Sequence, residues 1–155
     1  MEIKQINAGN LLLRVYEIRE EMGKAAARDA AERINSLLAQ KGEAGVVFAA
    51  APSQNEPLAY LKAADIDWSK VTAFHMDEYI GLDPAALQGF GNFLRRALFD
   101  ALPFRGIHYI EGWGDPVRAC EKYARLLRDN PPDLVLLGIG ENGHQIGRAS
   151  CRERV

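Results

Sequence analysis

The stretch VVFAAAPSQNEPLAYLKAA, residues 46–64, carries the pattern from which the fold is predicted. Residues 46–51 form a short, unbroken apolar run, which is typical of a β-strand that is buried on both faces. Residues 57–64 favour a helix, and the polar residues between the two segments favour a turn. The stretch therefore predicts a strand, a turn and a helix in succession.

The same alternation continues on both sides of this stretch. Upstream, residues 19–40 place apolar side chains at helical spacing, and Gly42 is expected to end that helix. Downstream, strands are predicted at residues 71–76, 107–110 and 133–140, and helices at residues 90–102 and 116–129. Strands that alternate with helices indicate a mainly parallel sheet with helices on both faces. We therefore predict an α/β fold, a Rossmann-like three-layer αβα arrangement.

The composition is that of an ordinary globular domain. The chain has 155 residues, of which 48% are hydrophobic and 26% charged, and its net charge is −2. This balance gives no indication of a nucleic-acid partner and fits a single domain. No apolar run is long enough for a membrane span, and the first residues do not resemble a secretory signal. We therefore expect a cytoplasmic protein with no nucleic-acid or membrane partner.

Ligands of open parallel sheets bind beyond the carboxyl ends of the strands, and three predicted loops lie there. In the first loop, Ser53, Gln54 and Asn55 offer a hydroxyl and two amides at the start of a helix. Such a turn can present backbone N–H groups to a phosphate. The alternative is that Ser53 only caps the helix, since serine is a common N-cap residue.

The second loop places two adjacent carboxylates, Asp77 and Glu78, at the end of an apolar strand. They cannot both point into the core, and a partly desolvated acid has its pKa raised towards the range that suits proton transfer. The alternative is a solvated turn with Tyr79 packed beneath it. The pair is therefore a candidate for acid–base chemistry.

The third loop, GIGENGH at residues 138–144, matches the pattern G-x-G-x-x-G of dinucleotide-binding sites. That pattern should open the first strand–helix unit and be followed by an acidic residue about 20 positions later. Here it has neither context, and His144 directly follows the third glycine. We therefore do not expect a nicotinamide cofactor. The loop is a candidate part of an active site because it gathers small residues, an acid, an amide and the imidazole of His144 in one turn.

Together the three loops resemble those of the glucosamine-6-phosphate deaminase/isomerase family, whose fold is shared with 6-phosphogluconolactonases. FHMDEYIGL, residues 74–82, is the most specific part, because its MDEY form is similar to the deaminase branch and lactonases typically carry a DER-like sequence there. LLGIGENGH, residues 136–144, resembles the loop with the family's catalytic histidine, and APSQNEPL, residues 51–58, lies where the family binds the sugar phosphate. The resemblance covers about residues 22–144.

The resemblance implies a cofactor-free conversion of a small-molecule sugar phosphate, glucosamine 6-phosphate and water to fructose 6-phosphate and ammonium. It implies that His144 opens the sugar ring, that Asp77 transfers a proton between C2 and C1, and that Ser53, Gln54 and Asn55 hold the phosphate. Glu78 and Gly140 flank these groups. The resemblance leaves open which amino sugar is used, whether an effector exists and whether the protein is a homo-oligomer.

Two alternatives stay open, and a departure from the family pattern motivates the second of them. The family's acidic residue two places before the histidine is Asn142 here, and Glu141 beside it is the nearest acid that can take its place. One alternative is a 6-phosphogluconolactonase-type hydrolase, in which His144 activates water. The other is a regulator that binds a sugar phosphate without turning it over.

The last eleven residues, QIGRASCRERV at 145–155, have neither helical nor strand periodicity and resemble a translated sequencing adapter. We therefore interpret residues 1–144 as the N-terminal part of a sugar-phosphate deaminase/isomerase domain and residues 145–155 as a non-native tail. A further glutamate and the basic phosphate ligands of the family lie downstream of the histidine and have no counterpart here. We therefore expect a sheet that is incomplete at the C-terminus and a polypeptide that is inactive as written.

Overall fold

The computed structural model describes residues 1–140 and residue 143. Its strands and helices follow the predicted alternation after an additional hairpin at the start of the chain. The strands are β1 (Glu2–Ala8), β2 (Leu11–Tyr16), β3 (Ala44–Phe48), β4 (Val71–His75), β5 (Gly106–His108) and β6 (Leu134–Leu136). The helices are α1 (Arg19–Lys41), α2 (Asn55–Lys62), α3 (Phe90–Ala97) and α4 (Pro116–Asp129).

The central sheet has four parallel strands in the order β5-β4-β3-β6. The prediction of an α/β fold with a parallel sheet is therefore confirmed. The chain builds the sheet outward from β3 through β4 to β5 and then returns to the other side of β3 with β6. This return makes the carboxyl ends of β3 and β6 the point where the strand order reverses, which is where ligands of such sheets bind.

One face of the sheet carries the main core. Alternate residues of β3 and β4, such as Val46, Phe48 and Val71, are fully buried there. Helices α1, α2 and α3 cover this face through apolar residues that include Ile34 and Leu94. Burying an aliphatic or aromatic side chain of this size contributes about 1.5–3 kcal/mol, so this face supplies most of the stability.

Helix α4 lies on the other face, beside β5. Two cavities, of about 340 and 410 Å³, lie beside β5 on this face, and Tyr123 of α4 lines the larger one. The Tyr123 hydroxyl donates hydrogen bonds to the carbonyl oxygens of His75 at 2.6 Å and His108 at 3.3 Å. One aromatic side chain thus fastens the helix to the ends of two strands.

The observed boundaries differ from the predicted ones where tertiary packing intervenes. The strand predicted at residues 46–51 ends at Phe48, and the strand predicted at residues 133–140 ends at Leu136, which is the partner of Phe48 in the ladder. The prediction of longer strands was wrong. β3 and β6 pair with each other, and because their ladder ends at Phe48 and Leu136, neither strand continues beyond that pair. The helix predicted at residues 90–102 stops at Ala97, since Leu98 leaves the helical conformation and turns into the core.

The antiparallel hairpin β1–β2 was not predicted. It packs little against the rest of the protein, and apolar side chains such as Ile3 and Leu11 are exposed on it. Helix α1, in contrast, closely follows its prediction, and Gly42 ends it in the left-handed conformation with φ 79°. In the part of the chain that the structure describes, no helix is both long and apolar enough to cross a membrane.

Candidate functional site

Three loops meet at the carboxyl edge of the sheet. They follow β3, β4 and β6, which are adjacent strands because β3 lies between the other two. The loop after β3 holds Ser53, the loop after β4 holds Asp77, and the loop after β6 begins at Leu137. The strand order therefore places the predicted phosphate-binding loop between the other two candidate loops.

The loops after β3 and β6 approach each other closely at Gly138. A Cβ atom on Gly138 would lie 2.9 Å from Ser53 Oγ and 3.3 Å from Gln54 Nε2. A side chain at this position would therefore displace the predicted phosphate ligands. This close approach brings two of the predicted site segments together.

Ser53 and Asn55 are exposed at the start of α2, whereas Gln54 is buried and its Nε2 donates to Ser53 Oγ at 3.4 Å. No side chain caps α2 or the short 3-10 turn before it, so the alternative that Ser53 is a helix cap was wrong. The Ser53 hydroxyl is therefore not committed to the helix N-terminus and is accessible to a ligand.

The base of this loop is tied to α1 by Arg19. Its guanidinium donates to both carboxylate oxygens of Glu56, at 2.8 and 2.9 Å, and also to the carbonyl oxygen of Pro52. The hydrogen bonds from Arg19 hold the pKa of Glu56 below its usual value. The ion pair thus braces the loop from the first turn of a neighbouring helix.

Glu78 is occupied by the backbone of the protein. Its Oε1 accepts hydrogen bonds from the N–H groups of Tyr79 at 2.9 Å and Phe90 at 3.0 Å, and its Oε2 accepts one from Gly91 at 2.9 Å. Burial raises the pKa of Glu78, but these N–H groups lower it by more, so the net shift is downward. Glu78 therefore stays ionised and binds the N-terminus of α3.

His75 lies beneath the loop after β4 and is 1% exposed. Its Nδ1 accepts a hydrogen bond from the Ile110 N–H at 3.3 Å, so the ring proton resides on Nε2. Burial lowers the pKa of His75, and the charges of Glu78 and Asp77 only partly oppose this effect. The imidazole is therefore neutral near pH 7.

Asp77 differs from both of these neighbours. It is half-buried, and among the residues that the structure describes its carboxylate has no hydrogen-bonding partner. The two adjacent carboxylates thus separate into one that is saturated by backbone N–H groups and one that is open. Of the two, Asp77 is the group that remains accessible for chemistry.

The predicted residues Glu141, Asn142 and His144 lie outside the described residues. Gly140 is described and is half-buried, and its carbonyl oxygen accepts a hydrogen bond from the Gly143 N–H at 2.8 Å. The predicted tail, residues 145–155, also lies outside the described part. In residues 1–140 and 143, no cluster of three or more His, Cys, Asp or Glu side chains is arranged to hold a metal ion.

Two cavities flank these loops. One of about 540 Å³ lies between α1 and the end of β6 and is lined by Ser53, Gln54 and Gly138 together with apolar side chains. The other, of about 370 Å³, lies between α3 and the loop after β5 and is lined by Glu78, Arg95 and Tyr109 among others. Glu78 therefore forms part of the wall of the second cavity, on the side of α3.

Sequence reasoning missed several residues that shape the site. Tyr123 holds the end of β4 from a different helix, and Arg19 braces the first loop from α1. Neither carries a local signal, because their partners are 48 and 33 residues away in the chain. Gly138 was singled out only as part of a glycine pattern, and its close approach to Ser53 depends on the strand order.

The sequence matches known proteins over most of its length. The family described as glucosamine-6-phosphate isomerases/6-phosphogluconolactonase matches residues 17–146. A glucosamine-6-phosphate deaminase of Lactobacillus delbrueckii subsp. bulgaricus is 33% identical over 131 residues, which are 84% of this chain and 54% of that protein. A glucosamine-6-phosphate deaminase of Exiguobacterium is 45% identical over 80 residues, 51% of this chain and 32% of that protein. The chain spans about a third to a half of the length of such curated relatives.

Solved structures share the fold. A monomeric glucosamine-6-phosphate deaminase superimposes with a TM-score of 0.75 at 23% identity, covering 83% of this chain and 55% of that one. A 6-phosphogluconolactonase from Shewanella baltica superimposes with a TM-score of 0.70 at 21% identity, covering 83% of this chain and 57% of that one. At these identities the likeness shows the common architecture.

Proposed function

The chain belongs to the family of glucosamine-6-phosphate isomerases and 6-phosphogluconolactonases, and we propose that the protein containing it deaminates an amino sugar phosphate. The proposed reaction converts glucosamine 6-phosphate and water to fructose 6-phosphate and ammonium without a cofactor. The family includes two activities, and the deaminases among the relatives favour deamination. A small-molecule sugar phosphate is the proposed ligand.

The observation that carries the proposal is the order of the three loops. The reaction requires a group that holds the phosphate and groups that move protons at the other end of the sugar. The loop with Ser53 lies between the loop with Asp77 and the loop that begins after β6. A phosphate fixed at the middle loop would place the sugar within reach of both neighbours, which converts binding energy into orientation of the reacting atoms.

The open carboxylate supports the proton-transfer step. In the ring-opened sugar, the C2–H lies next to the C1 aldehyde and is acidic enough for a positioned carboxylate to remove its proton. Asp77 would take this proton and return it to C1 of the resulting enolamine. Water would then add to the imine at C2 and release ammonia, which is protonated to ammonium. Glu78 is unsuited to this role because backbone N–H groups occupy both of its oxygens.

For the phosphate, the proposal uses the exposed start of α2. Ser53 and Asn55 would contact it directly with a hydroxyl and an amide, and the buried Gln54 would support Ser53 through their mutual hydrogen bond. The first turn of a helix also favours an anion through its backbone N–H groups. This arrangement needs no basic side chain from the loop itself.

The remaining roles rest on sequence resemblance. His144 would move a proton at the ring oxygen, since imidazole titrates near neutrality. Glu141 would orient the imidazole in place of the family's acid, with Asn142 supplying an amide, and Gly140 would allow the turn to approach the sugar. We also propose that the native sequence in this chain ends near residue 144 and that residues 145–155 are a non-native tail. The nucleotide sequence beyond the His144 codon tests this division.

Ammonium release from glucosamine 6-phosphate by the full-length gene product tests the proposal. We expect turnover in the unmodified protein, a loss of at least about 1,000-fold in kcat for Asp77→Asn, and little change for Asp65→Asn. Asp65 is a matched control because it is exposed and precedes β4, at the opposite edge of the sheet. Absence of ammonium above background from the unmodified protein would refute the proposal.

The second candidate function is lactone hydrolysis. It is the other activity in the description of the family that matches residues 17–146, and 6-phosphogluconolactonases share the fold. Hydrolysis of 6-phosphogluconolactone by the same preparation, with no ammonium from the amino sugar phosphate, would establish this alternative. Tight binding of both sugar phosphates with no turnover of either would instead identify a regulator.

A further inference from the structure

We propose that His75 is a positioning residue whose buried ring faces Glu78 and thereby sets the direction of the Asp77 carboxylate. The inference rests on the role proposed above for Asp77. It concerns His75, the last residue of β4, and Glu78 in the loop that follows, and it assigns them a joint task.

The geometry of the ring points to this role. The Nδ1 atom is committed to the Ile110 N–H, so the other nitrogen, Nε2, carries the proton. In the part of the chain that the structure describes, Nε2 is buried without a hydrogen-bonding partner. Its nearest acidic atom is Glu78 Oε2, 4.0 Å away. A buried N–H donor costs free energy when it is unpaired, so it favours loop conformations that keep this carboxylate in front of it.

Glu78 is the natural recipient because its own position is already specified. Its oxygens accept hydrogen bonds from Phe90 and Gly91 at the start of α3. Glu78 Oε2 therefore lies between two N–H groups, that of Gly91 on one side and the imidazole Nε2–H on the other. A displacement of either residue would leave a buried polar group less well paired.

Asp77 lies between these two anchors in the chain. Only Met76 and Asp77 separate His75 from Glu78, and the carbonyl oxygen of His75 is itself held by Tyr123. With both ends of so short a segment fixed, the backbone at Asp77 has little freedom. The pair therefore acts on the proposed base through the chain and does not touch the substrate.

The charged and titratable groups around the ring are consistent with a neutral donor. Glu78 and Asp77 face it from the loop after β4. Tyr109, just beyond β5, packs against it edge to face with the ring centroids 6.0 Å apart, and Tyr123 approaches its backbone from α4. A neutral imidazole keeps its one N–H proton, so Nε2 remains a donor.

Two substitutions separate the functions of the ring nitrogens. In His75→Asn the amide oxygen can replace Nδ1 as acceptor for Ile110, but no donor reaches Glu78. In His75→Gln the longer amide can place its NH₂ group near the position of Nε2. In the full-length protein, we expect His75→Asn to lower kcat about 10- to 100-fold while KM changes less than about twofold, and His75→Gln to recover part of the loss.

A double-mutant cycle tests the pairing itself. Glu78→Gln removes the charge in front of Nε2 and should lower kcat as His75→Asn does. If the two residues act as a pair, the kcat of the double variant should not fall below that of the less active single variant. Amide chemical shifts of residues 77–79 in ¹H–¹⁵N NMR spectra should move in His75→Asn and return towards the original values in His75→Gln.

The outcomes are decisive in both directions. Additive losses in the cycle, or a lower melting temperature in His75→Asn with unchanged kcat and unchanged amide shifts, would show that His75 is only a structural residue. If the unmodified protein releases no ammonium, the proposed function fails, and the amide shifts still decide whether His75 positions the loop. If His75→Asn does not fold, the comparison of His75→Gln with Glu78→Gln applies: unchanged kcat in Glu78→Gln overturns the proposal.

Discussion

The loops that follow β4 and β6 end at the same edge of the sheet, but the protein holds them very differently. The loop after β4 is anchored from three other elements, by Tyr123 of α4, by the N-terminus of α3 and by Ile110 beyond β5. The loop after β6 leaves a strand that, within residues 1–140, pairs with β3 alone. Its residue Leu137 is 44% exposed and Ile139 is 68% exposed.

The two halves of the candidate site are therefore held in place by different contacts. The half around Asp77 is organised by buried hydrogen bonds within the described chain, so its geometry is specified before any ligand binds. The described half beyond β6 has few buried apolar contacts, which is typical of segments with low local stability. Substitutions on the two sides should therefore differ in size and in the property that they change.

The largest effect is expected at Glu78. Glu78→Ala leaves the N–H groups of Tyr79, Phe90 and Gly91 without their acceptor and should lower the free energy of unfolding by about 2–3 kcal/mol. Urea unfolding followed by circular dichroism measures this change. Glu32→Ala, on the exposed face of α1, is the control and should change it by less than about 0.5 kcal/mol. Equal losses in the two variants would contradict the anchoring role of Glu78.

A smaller effect is expected at Tyr123. Tyr123→Phe keeps the ring but removes the donor to the carbonyl oxygens of His75 and His108, and should cost about 1–2 kcal/mol. Burial also raises the pKa of Tyr123 to about 12, so its hydroxyl remains a donor through the whole neutral range. Tyr16→Phe, whose hydroxyl contacts only the exposed Glu2, is the matched control for urea unfolding. A loss as small as that of the control would mean that α4 does not fasten β4.

On the other side of the comparison, Gly138→Ala should change binding more than stability. The added methyl group would meet Ser53 Oγ and Gln54 Nε2, so we expect KM for the sugar phosphate to rise about fivefold, near 1 kcal/mol, with kcat little changed. Steady-state kinetics of the full-length protein measure this split. Gly106→Ala, at the other edge of the sheet and without a close contact, should leave KM unaltered. A fall in kcat with constant KM would place Gly138 elsewhere in the mechanism.

The smallest effect concerns acid stability at the start of β6. Asp133 accepts hydrogen bonds from the Gly45 N–H and from Lys41, and although burial raises its pKa, these contacts lower it further than burial raises it. A carboxyl with a depressed folded-state pKa stabilises the fold above its unfolded pKa, about 3.9, and that stability is lost as pH falls through the lower folded value. We expect Asp133→Asn to flatten the fall in unfolding free energy below pH 4. An unchanged pH profile would show that β6 is not fastened by this carboxylate.

Several features were predictable because they depend on neighbours in sequence. The helical spacing of residues 19–40 and the position of Gly42 predicted α1 nearly to its ends, and the proline and aspartate before residue 117 define the start of α4. The apolar runs located the four parallel strands. The three candidate loops follow from the same local pattern, since each comes directly after a strand.

Other features could not be predicted from local pattern. The hairpin β1–β2 lacks a buried face, so no apolar alternation marks it clearly. The lengths of β3 and β6 depend on each other, because a strand ends where its partner in the ladder ends. By itself the first loop favoured a helix cap for Ser53 over a ligand, and only the folded structure shows that the Ser53 side chain does not cap the helix.

The sequence by itself determined the alternation of strands and helices, the family and the identity of the candidate loops, because propensity, apolar spacing and motif are properties of short segments. Only the tertiary structure decided that β6 returns beside β3, that Gly138 meets Ser53, and that Glu78 is saturated while Asp77 is open. These outcomes depend on hydrogen bonds and contacts between residues that are far apart in the chain. The adjacent carboxylates are chemically alike in sequence, and they differ because Tyr79 and the N-terminus of α3 donate backbone hydrogen bonds to one of them.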